Sequence, residues 1–361
     1  MSPPSAGPTF LVSRTDAIGD VVLTLPVCGQ LKRQFPGCRV VLIGRAYTAA
    51  VAAACPWVDA FLDVGELRAL PAAAGVGKLK AYRAAAILHV LPDRDLARLA
   101  RQAGIPRRIG TRSRWFHWLT CNRLVALSRR HSPLHEAQLN LKLLLPLGYA
   151  KTPDLAAVAS LVRLEPTEPL AELWQQRLAQ RRLGQLNVIL HPRSRGSARE
   201  WGLENFGTLA RLLHAAGHRV FITGTAAEGA ELADWRREHA ACLAADLTGQ
   251  LSLPQLISFI AATDGLVAGS TGPLHLAAAL GRHALGLYPP IRPMHPGRWA
   301  PLGPHAEYLV FDRPACQDCR AVPAACTCIK ALAPALVAAH VAAWPPLPAG
   351  QGVGIRENEG L

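Results

Sequence analysis

Gly265-Leu266-Val267-Ala268-Gly269-Ser270-Thr271-Gly272-Pro273-Leu274-His275 reads as a short buried strand that stops at Gly269 and re-enters a helix around Pro273. A strand-to-helix turn of this kind leaves backbone N–H groups facing outward at the helix start, and such an end binds phosphate. Proline suits the first helical turn, Thr271 is the expected cap, and Gly272 lets the backbone approach a ligand closely. His275 falls on the same first turn. Taken alone, these residues also describe an ordinary capped helix with a buried histidine, so companion motifs must decide.

Working outward, strand and helix signals alternate along the chain. Apolar runs at 9–13, 39–43, 60–64 and 85–90 predict buried strands. Helical patterns are expected at 20–34, with Pro26 disturbing the early turns, and at 46–54, 94–103 and 134–147. The pattern fades across 151–169, which reads as an interdomain linker. It then resumes with strands at 187–191, 219–223, 265–268 and 284–287, helices near 203–216 and from 226, and one or two helices within 329–344. The expected fold class is α/β: two doubly wound Rossmann-like domains, 1–165 and 166–345, followed by a flexible tail at 346–361. Two such domains in tandem predict an interdomain cleft where polar groups from strand ends converge on a ligand. Four motifs land at those ends: Arg14-Thr15-Asp16-Ala17-Ile18-Gly19-Asp20, His191 through Trp201, Thr223-Gly224-Thr225 with Glu228, and the segment around Thr271.

Composition bounds the function classes. At 361 residues, half of them apolar, the chain exceeds one core and favours two domains. No apolar run approaches the roughly 18 residues of a membrane span, and residues 1–8 carry neither a basic start nor an apolar signal core, so the protein is read as cytoplasmic. Of the formal net charge of +14, residues 1–165 carry a surplus of 12. Arg98, Arg101, Arg107, Arg108, Arg112, Arg114, Arg123, Arg129 and Arg130 occur with no acidic residue between Leu96 and His135, interleaved with Trp115, Phe116 and Trp118. A field of this sign attracts phosphates of nucleic acid, an anionic membrane or an acidic glycolipid; a solvated arginine-rich surface is the alternative. Nine cysteines are an odd number, which argues against a disulfide framework. Cys316, Cys319, Cys326 and Cys328 cluster; four thiolates would accept zinc or iron as a structural metal, yet the Cys-x-Cys spacing is tighter than a structural zinc knuckle, so packed thiols are the simpler reading and a metal cluster the alternative.

At this point the residues resemble glycosyltransferase family 9, the heptosyltransferases that extend the inner core of bacterial lipopolysaccharide. The features that carry the resemblance run in order over residues 9–345: Ile18-Gly19-Asp20 through Pro26, the stretch from His135-Glu136 to Leu147-Gly148, Arg199-Glu200-Trp201 with Glu204-Asn205-Phe206, Thr223-Gly224 with Glu228, and Ser270 through Ala277. The resemblance implies the GT-B architecture and an inverting, metal-independent transfer with no cofactor, drawing on a nucleotide-sugar donor, ADP-heptose by analogy. Asp20 matches the family's general base, an N-cap carboxylate being its structural alternative. Asp16 is a weaker candidate. Arg199 stands where the family carries a lysine that contacts the diphosphate, and Ser194 matches a small hydroxyl position that bonds phosphate. Glu228 corresponds to the carboxylate that accepts the ribose diol, Thr271 and Gly272 to the phosphate cradle, and His275 to a diphosphate or sugar contact. Ser270 departs from the Asp common in heptosyltransferases, which puts the donor sugar in doubt. Arg14, Arg112, Arg114 and Arg123 would position an acidic glycan or glycolipid acceptor such as lipopolysaccharide inner core, with peripheral contact at the cytoplasmic face of the anionic inner membrane. Other readings stay open: a different donor or a protein acceptor, a hydrolysing epimerase of the same architecture, or a basic nucleic-acid-binding protein, for which no recognised motif speaks.

Overall fold

The structure is a computed structural model that describes residues 7–129, 132–150, 153–292, 294–313, 316–322 and 326–348. The chain divides into two compact units after Leu164. The first holds six strands: β1 (Thr9–Ser13), β2 (Arg39–Gly44), β3 (Ala60–Asp63), β4 (Ala86–His89), β5 (Arg107–Thr111) and β6 (Arg123–Val125). They form one parallel sheet in the order β3-β2-β1-β4-β5-β6. The second unit repeats the plan with β7 (Asn187–His191), β8 (Arg219–Ile222), β9 (Leu243–Asp246), β10 (Gly265–Gly269), β11 (His283–Tyr288) and β12 (Ala306–Val310), ordered β12-β11-β10-β7-β8-β9.

The central strands are apolar at almost every position because helices cover both faces of a parallel sheet. Val40, Val41, Leu42 and Ile43 are all buried, as are Val188, Ile189 and Leu190. In each unit the chain lays three strands outward and then returns to place the fourth on the other side of the first. The connections diverge there, opening a crevice at the carboxyl ends of β1 and β4 in one unit and of β7 and β10 in the other. These switch points position the candidate site.

Several elements differ from the sequence expectation. The 20–34 stretch forms two helices, Ile18–Val22 and Leu25–Gln34, because Pro26 lacks an N–H and is tolerated only in the first turn of a new helix. β5 and β6 lie inside the arginine-rich stretch, where the charges of Arg107 and Arg123 sit at the exposed amino ends and conceal the buried Ile109 and Val125. Gly110 allows this packing: a Cβ there would lie 2.7 Å from His117 Nδ1. The half-buried edge strands β9 and β12 likewise give little apolar signal.

The expected linker is not free chain. Residues Leu155–Ala159 are helical, and Val158 and Leu161 are buried within the first unit; Lys151 and Thr152 lie outside the described residues. Nor is the chain frayed just after Trp344. That indole stacks on His283 with ring centroids 4.8 Å apart, His283 Nε2 bonds the Pro345 carbonyl at 2.9 Å, and Arg282 donates to the Pro348 carbonyl at 2.7 Å. The rest of the expected tail, 349–361, lies outside the described residues, as do residues 1–6 and Arg130.

Candidate active site

In the first unit, β1 delivers Arg14 at its carboxyl end and the turn into Ile18–Val22 delivers Asp16 and Asp20. Arg14 is buried, and its planar fork is shared among three carboxylates: Nε to Asp16 Oδ1 at 2.6 Å, one terminal nitrogen to Glu136 Oε1 at 3.1 Å, and the other to Asp20 Oδ1. The rigid guanidinium fork spreads its donors over separate edges, so one side chain serves three acceptors spaced around it. Glu136 is buried and also accepts from Arg129 Nε at 2.9 Å. Arg129 donates further to Val90 O and Asn140 Oδ1, each at 3.0 Å. Asn140 Nδ2 reaches Leu23 O at 3.1 Å, and Thr24 Oγ1 donates to Asp20 O at 2.9 Å, so the Asp20 helix is locked to the Glu136–Leu141 helix.

Asp20 is not an N-cap: the cap position is Ala17, with no side-chain bond, and Asp20 occupies the third helical position. Its side chain keeps 21 % of its surface exposed while that of Arg14 keeps 4 %. Burial pushes the Asp20 carboxyl up to about 6, against the opposing pull of the Arg14 guanidinium and with a further push from Asp16 and Glu136. A carboxylate with that affinity for protons, still reachable from solvent, can accept one from an alcohol as it attacks.

β4 ends at His89, paired in register with Ser13. Neither ring nitrogen of this fully buried histidine has a partner among the described residues, and burial, helped by His117 and Arg108, depresses it to about 3. It is neutral at physiological pH. Sequence reasoning passed over His89 because it ends an apolar strand, and it counted Arg129 as surface charge. The lone acid Glu136, following a long acid-free basic run, was the available signal for an ion-pair partner.

Of the other arginines assigned to an acceptor, Arg112 and Arg114 are exposed just beyond the carboxyl end of β5, whereas Arg123 opens β6 at its amino end. Among the described residues none of the three pairs with Asp16, Asp20 or Glu136.

In the second unit, β7 ends at His191, whose Nδ1 lies 3.0 Å from Thr223 Oγ1 at the end of neighbouring β8. Burial lowers the His191 pKa, with Glu228 and Thr223 opposing. Glu228 is buried and closes a capping box with Thr225: its Oε2 accepts from Thr225 N at 2.7 Å and from Thr225 Oγ1 at 2.9 Å. Ser194 is held by Glu200, whose Oε1 accepts from Ser194 N at 3.1 Å, and its hydroxyl donates to Ala198 O at 3.1 Å. The loop between them makes a tight reversal through Arg195, at φ +50°, and Gly196, at φ +79°. A non-glycine residue held there is strained, as backbone at ligand sites commonly is. Arg199 is buried, donating to Cys319 Sγ at 3.4 Å and Cys319 O at 3.1 Å, so its fork is partly committed to the protein.

Thr271 occupies the N-cap position of the Gly272–Ala279 helix, but its hydroxyl does not cap. Its Oγ1 is buried with no partner among the described residues. Ser270 lies near the Tyr288 phenol, which donates to Trp299 O at 2.5 Å. His275 is buried one turn into the helix. The clustered cysteines pack into the second unit's core, with Cys316 and Cys328 sulfurs 3.5 Å apart. All nine cysteines are free, and among the described residues no group of three or more is arranged to hold a metal ion.

The chain and its fold have counterparts in known proteins. A Haemophilus influenzae relative that carries a glycosyltransferase name is 27 % identical, over 85 % of this chain and 89 % of its own. Lipooligosaccharide heptosyltransferase 2 of the same organism is 24 % identical, over 77 % of this chain and 82 % of its own. Among solved structures, Escherichia coli ADP-heptose lipopolysaccharide heptosyltransferase II superposes with a TM-score of 0.67 at 20 % identity, covering 92 % of this chain and 97 % of that one. An E. coli heptosyltransferase solved with ADP gives 0.62 at 18 % identity, over 92 % and 98 %. At these identities the two structures speak for the fold. Residues 90–329 match the family model described as glycosyltransferase family 9 (heptosyltransferase), and the chain, a glycosyltransferase built from two parallel α/β units, belongs to that family.

Proposed function

We propose that the protein transfers heptose from ADP-heptose to a hydroxyl of an acidic glycolipid of the lipopolysaccharide inner-core type, with inversion and without a metal cofactor. The observation that carries this reading is Asp20: a carboxylate with a pKa near 6, fixed by Arg14 at the carboxyl edge of β1 yet still partly exposed. In the transfer, the acceptor oxygen forms a bond to the anomeric carbon while its proton passes to Asp20. The bond from that carbon to the diphosphate oxygen breaks, and its electron pair leaves with ADP. No covalent intermediate is needed for inversion.

The donor's diphosphate is met by the backbone N–H groups and the unpartnered Thr271 hydroxyl at the start of the Gly272–Ala279 helix, with Ser194, Arg199 and His275 alongside. Glu228 accepts the ribose diol through the carboxylate capacity that its capping bonds leave over. Arg14 orients Asp20, while Arg112, Arg114 and Arg123 meet acidic groups of the acceptor.

The test is calorimetric. ADP-heptose at about a hundred times its dissociation constant should stabilise the protein by about 2.7 kcal/mol, where UDP- and GDP-sugars leave it unmoved. Because Ser270 replaces a carboxylate that would grip sugar hydroxyls, ADP with a different sugar is the second reading, and selective stabilisation by another ADP-sugar would favour it. Asp20→Asn should abolish turnover and retain donor binding; unchanged turnover would remove Asp20 as base.

A further inference from the structure

The arginine-rich stretch places an inverted helix on the surface of the first unit. Residues Trp115–Thr120 form a short helix that packs on β5 and on the Arg94–Gln102 helix. Its polar residues His117 and Thr120 point inward and are buried, whereas Trp115, Trp118 and Leu119 are 62 %, 60 % and 61 % exposed. Spaced at i, i+3 and i+4, these three share one face. A soluble surface helix normally shows the opposite polarity. The arrangement is held rather than incidental: Trp118 Nε1 donates to Arg112 O at 3.0 Å, Arg101 donates to Leu119 O at 2.7 Å, and the Arg94 guanidinium lies 5.1 Å from the Trp115 ring. Arg94, Arg98 and Arg101 are exposed beside it on the neighbouring helix.

We infer that this face is a docking surface for an anionic lipid bilayer. Tryptophans belong at the headgroup level, where the ring is apolar and the N–H is wet, and arginines around them meet lipid phosphates. Charge selects this occupant. Beside Arg94, Asp93 is paired with Arg68 and only Asp95 opposes the arginines, while Leu96 to His135 has no acidic residue; the face keeps a positive surplus, and a second copy of the chain presenting it would repel. Among the described residues no helix is long and apolar enough to cross a membrane, and the inferred contact is a surface one made by these side chains. The inference is independent of the donor and of Asp20, and it would hold the enzyme on the surface that carries a glycolipid acceptor.

The experiment uses the full chain with vesicles of phosphatidylglycerol and phosphatidylethanolamine, against vesicles of phosphatidylcholine. Binding is read by co-sedimentation, and insertion by quenching of tryptophan fluorescence with brominated lipid. The wild type should bind the anionic vesicles selectively, lose binding as salt rises, and be quenched. The triple variant Trp115→Ser, Trp118→Ser and Leu119→Ser should lose at least tenfold in partitioning; its thermal melt verifies folding. Arg94→Gln with Arg98→Gln, which leaves every tryptophan in place, should weaken binding by about thirtyfold. Equal binding to both vesicle types, unchanged binding by the triple variant, or bound protein that brominated lipid does not quench would overturn the inference. So would a nucleic acid that outcompetes the vesicles for the same residues, or a wild-type dimer that the triple variant dissociates.

Discussion

Arg14→Gln tests the electrostatics of the proposed base most directly. The wild-type cation is shared by Asp16, Asp20 and Glu136, and it opposes the burial that raises Asp20 to about 6. Two unit charges about 4 Å apart at an effective dielectric of about 20 interact by about 4 kcal/mol, close to 3 pK units, which is the ceiling for losing this partner. Asp20 keeps 21 % of its side chain exposed, so water screens part of that. A rise of about 1–2 units is the working figure, placing Asp20 at roughly 7–8. A general base must be deprotonated to act, so removing the cation moves the acid limb of kcat/KM to higher pH. At pH near 7 the competent fraction falls from about nine-tenths to about a quarter, and raising the pH restores it. The assay is ADP release from ADP-heptose with a heptose-free lipopolysaccharide acceptor, followed across the pH range. Arg14→Lys serves as control: it keeps the charge, so the limb stays near its wild-type position although the three-way fork is lost. An acid limb that stays put or moves down in Arg14→Gln, or a loss of rate equal at every pH, would refute the reasoning.

Glu228→Gln preserves the capping-box acceptor for Thr225 and removes only the charge, so the melt should change little while calorimetry shows ADP affinity falling about tenfold; undiminished affinity would take Glu228 away from the ribose. Gly303→Ala would push a Cβ to 2.1 Å from Ala278 O at the end of the Gly272–Ala279 helix, and urea unfolding should report a loss of about 1–3 kcal/mol. Asp264 is buried: both of its carboxylate oxygens accept from Arg181 Nη1 at 2.8 Å, and Oδ2 also accepts from Asn187 N at 2.7 Å. Because Arg181 is a third exposed, Asp264→Ala should cost about 2–3 kcal/mol, toward the lower end for a broken buried pair; a neutral melt would show that the start of β7 does not depend on it.

Much of this protein was legible in its sequence. Buried parallel strands announce themselves as unbroken apolar runs, so β1, β2, β7 and β8 stand out, and turn chemistry after β10 marks a helix start with open N–H groups. Most of the ordered motifs that carried the family follow the carboxyl ends of strands, where side chains are free to serve a ligand, whereas the His135 to Gly148 stretch is helical and Trp201 and Phe206 belong to the core. Only the tertiary structure decided the partners. Arg14 and Glu136 are 122 positions apart, and Arg199 and Cys319 are 120 apart; no local periodicity reports such pairings. It also separated arginines that look alike in sequence: Arg129 turns inward to a buried glutamate while Arg112 and Arg114 remain in water. Strands β5, β6, β9 and β12 needed it as well, since their burial comes from neighbours across the sheet and not from their own composition. Local sequence sets which backbone forms are cheap, whereas the pK of Asp20 and the outward face of Trp115 and Trp118 arise from what distant segments place around them.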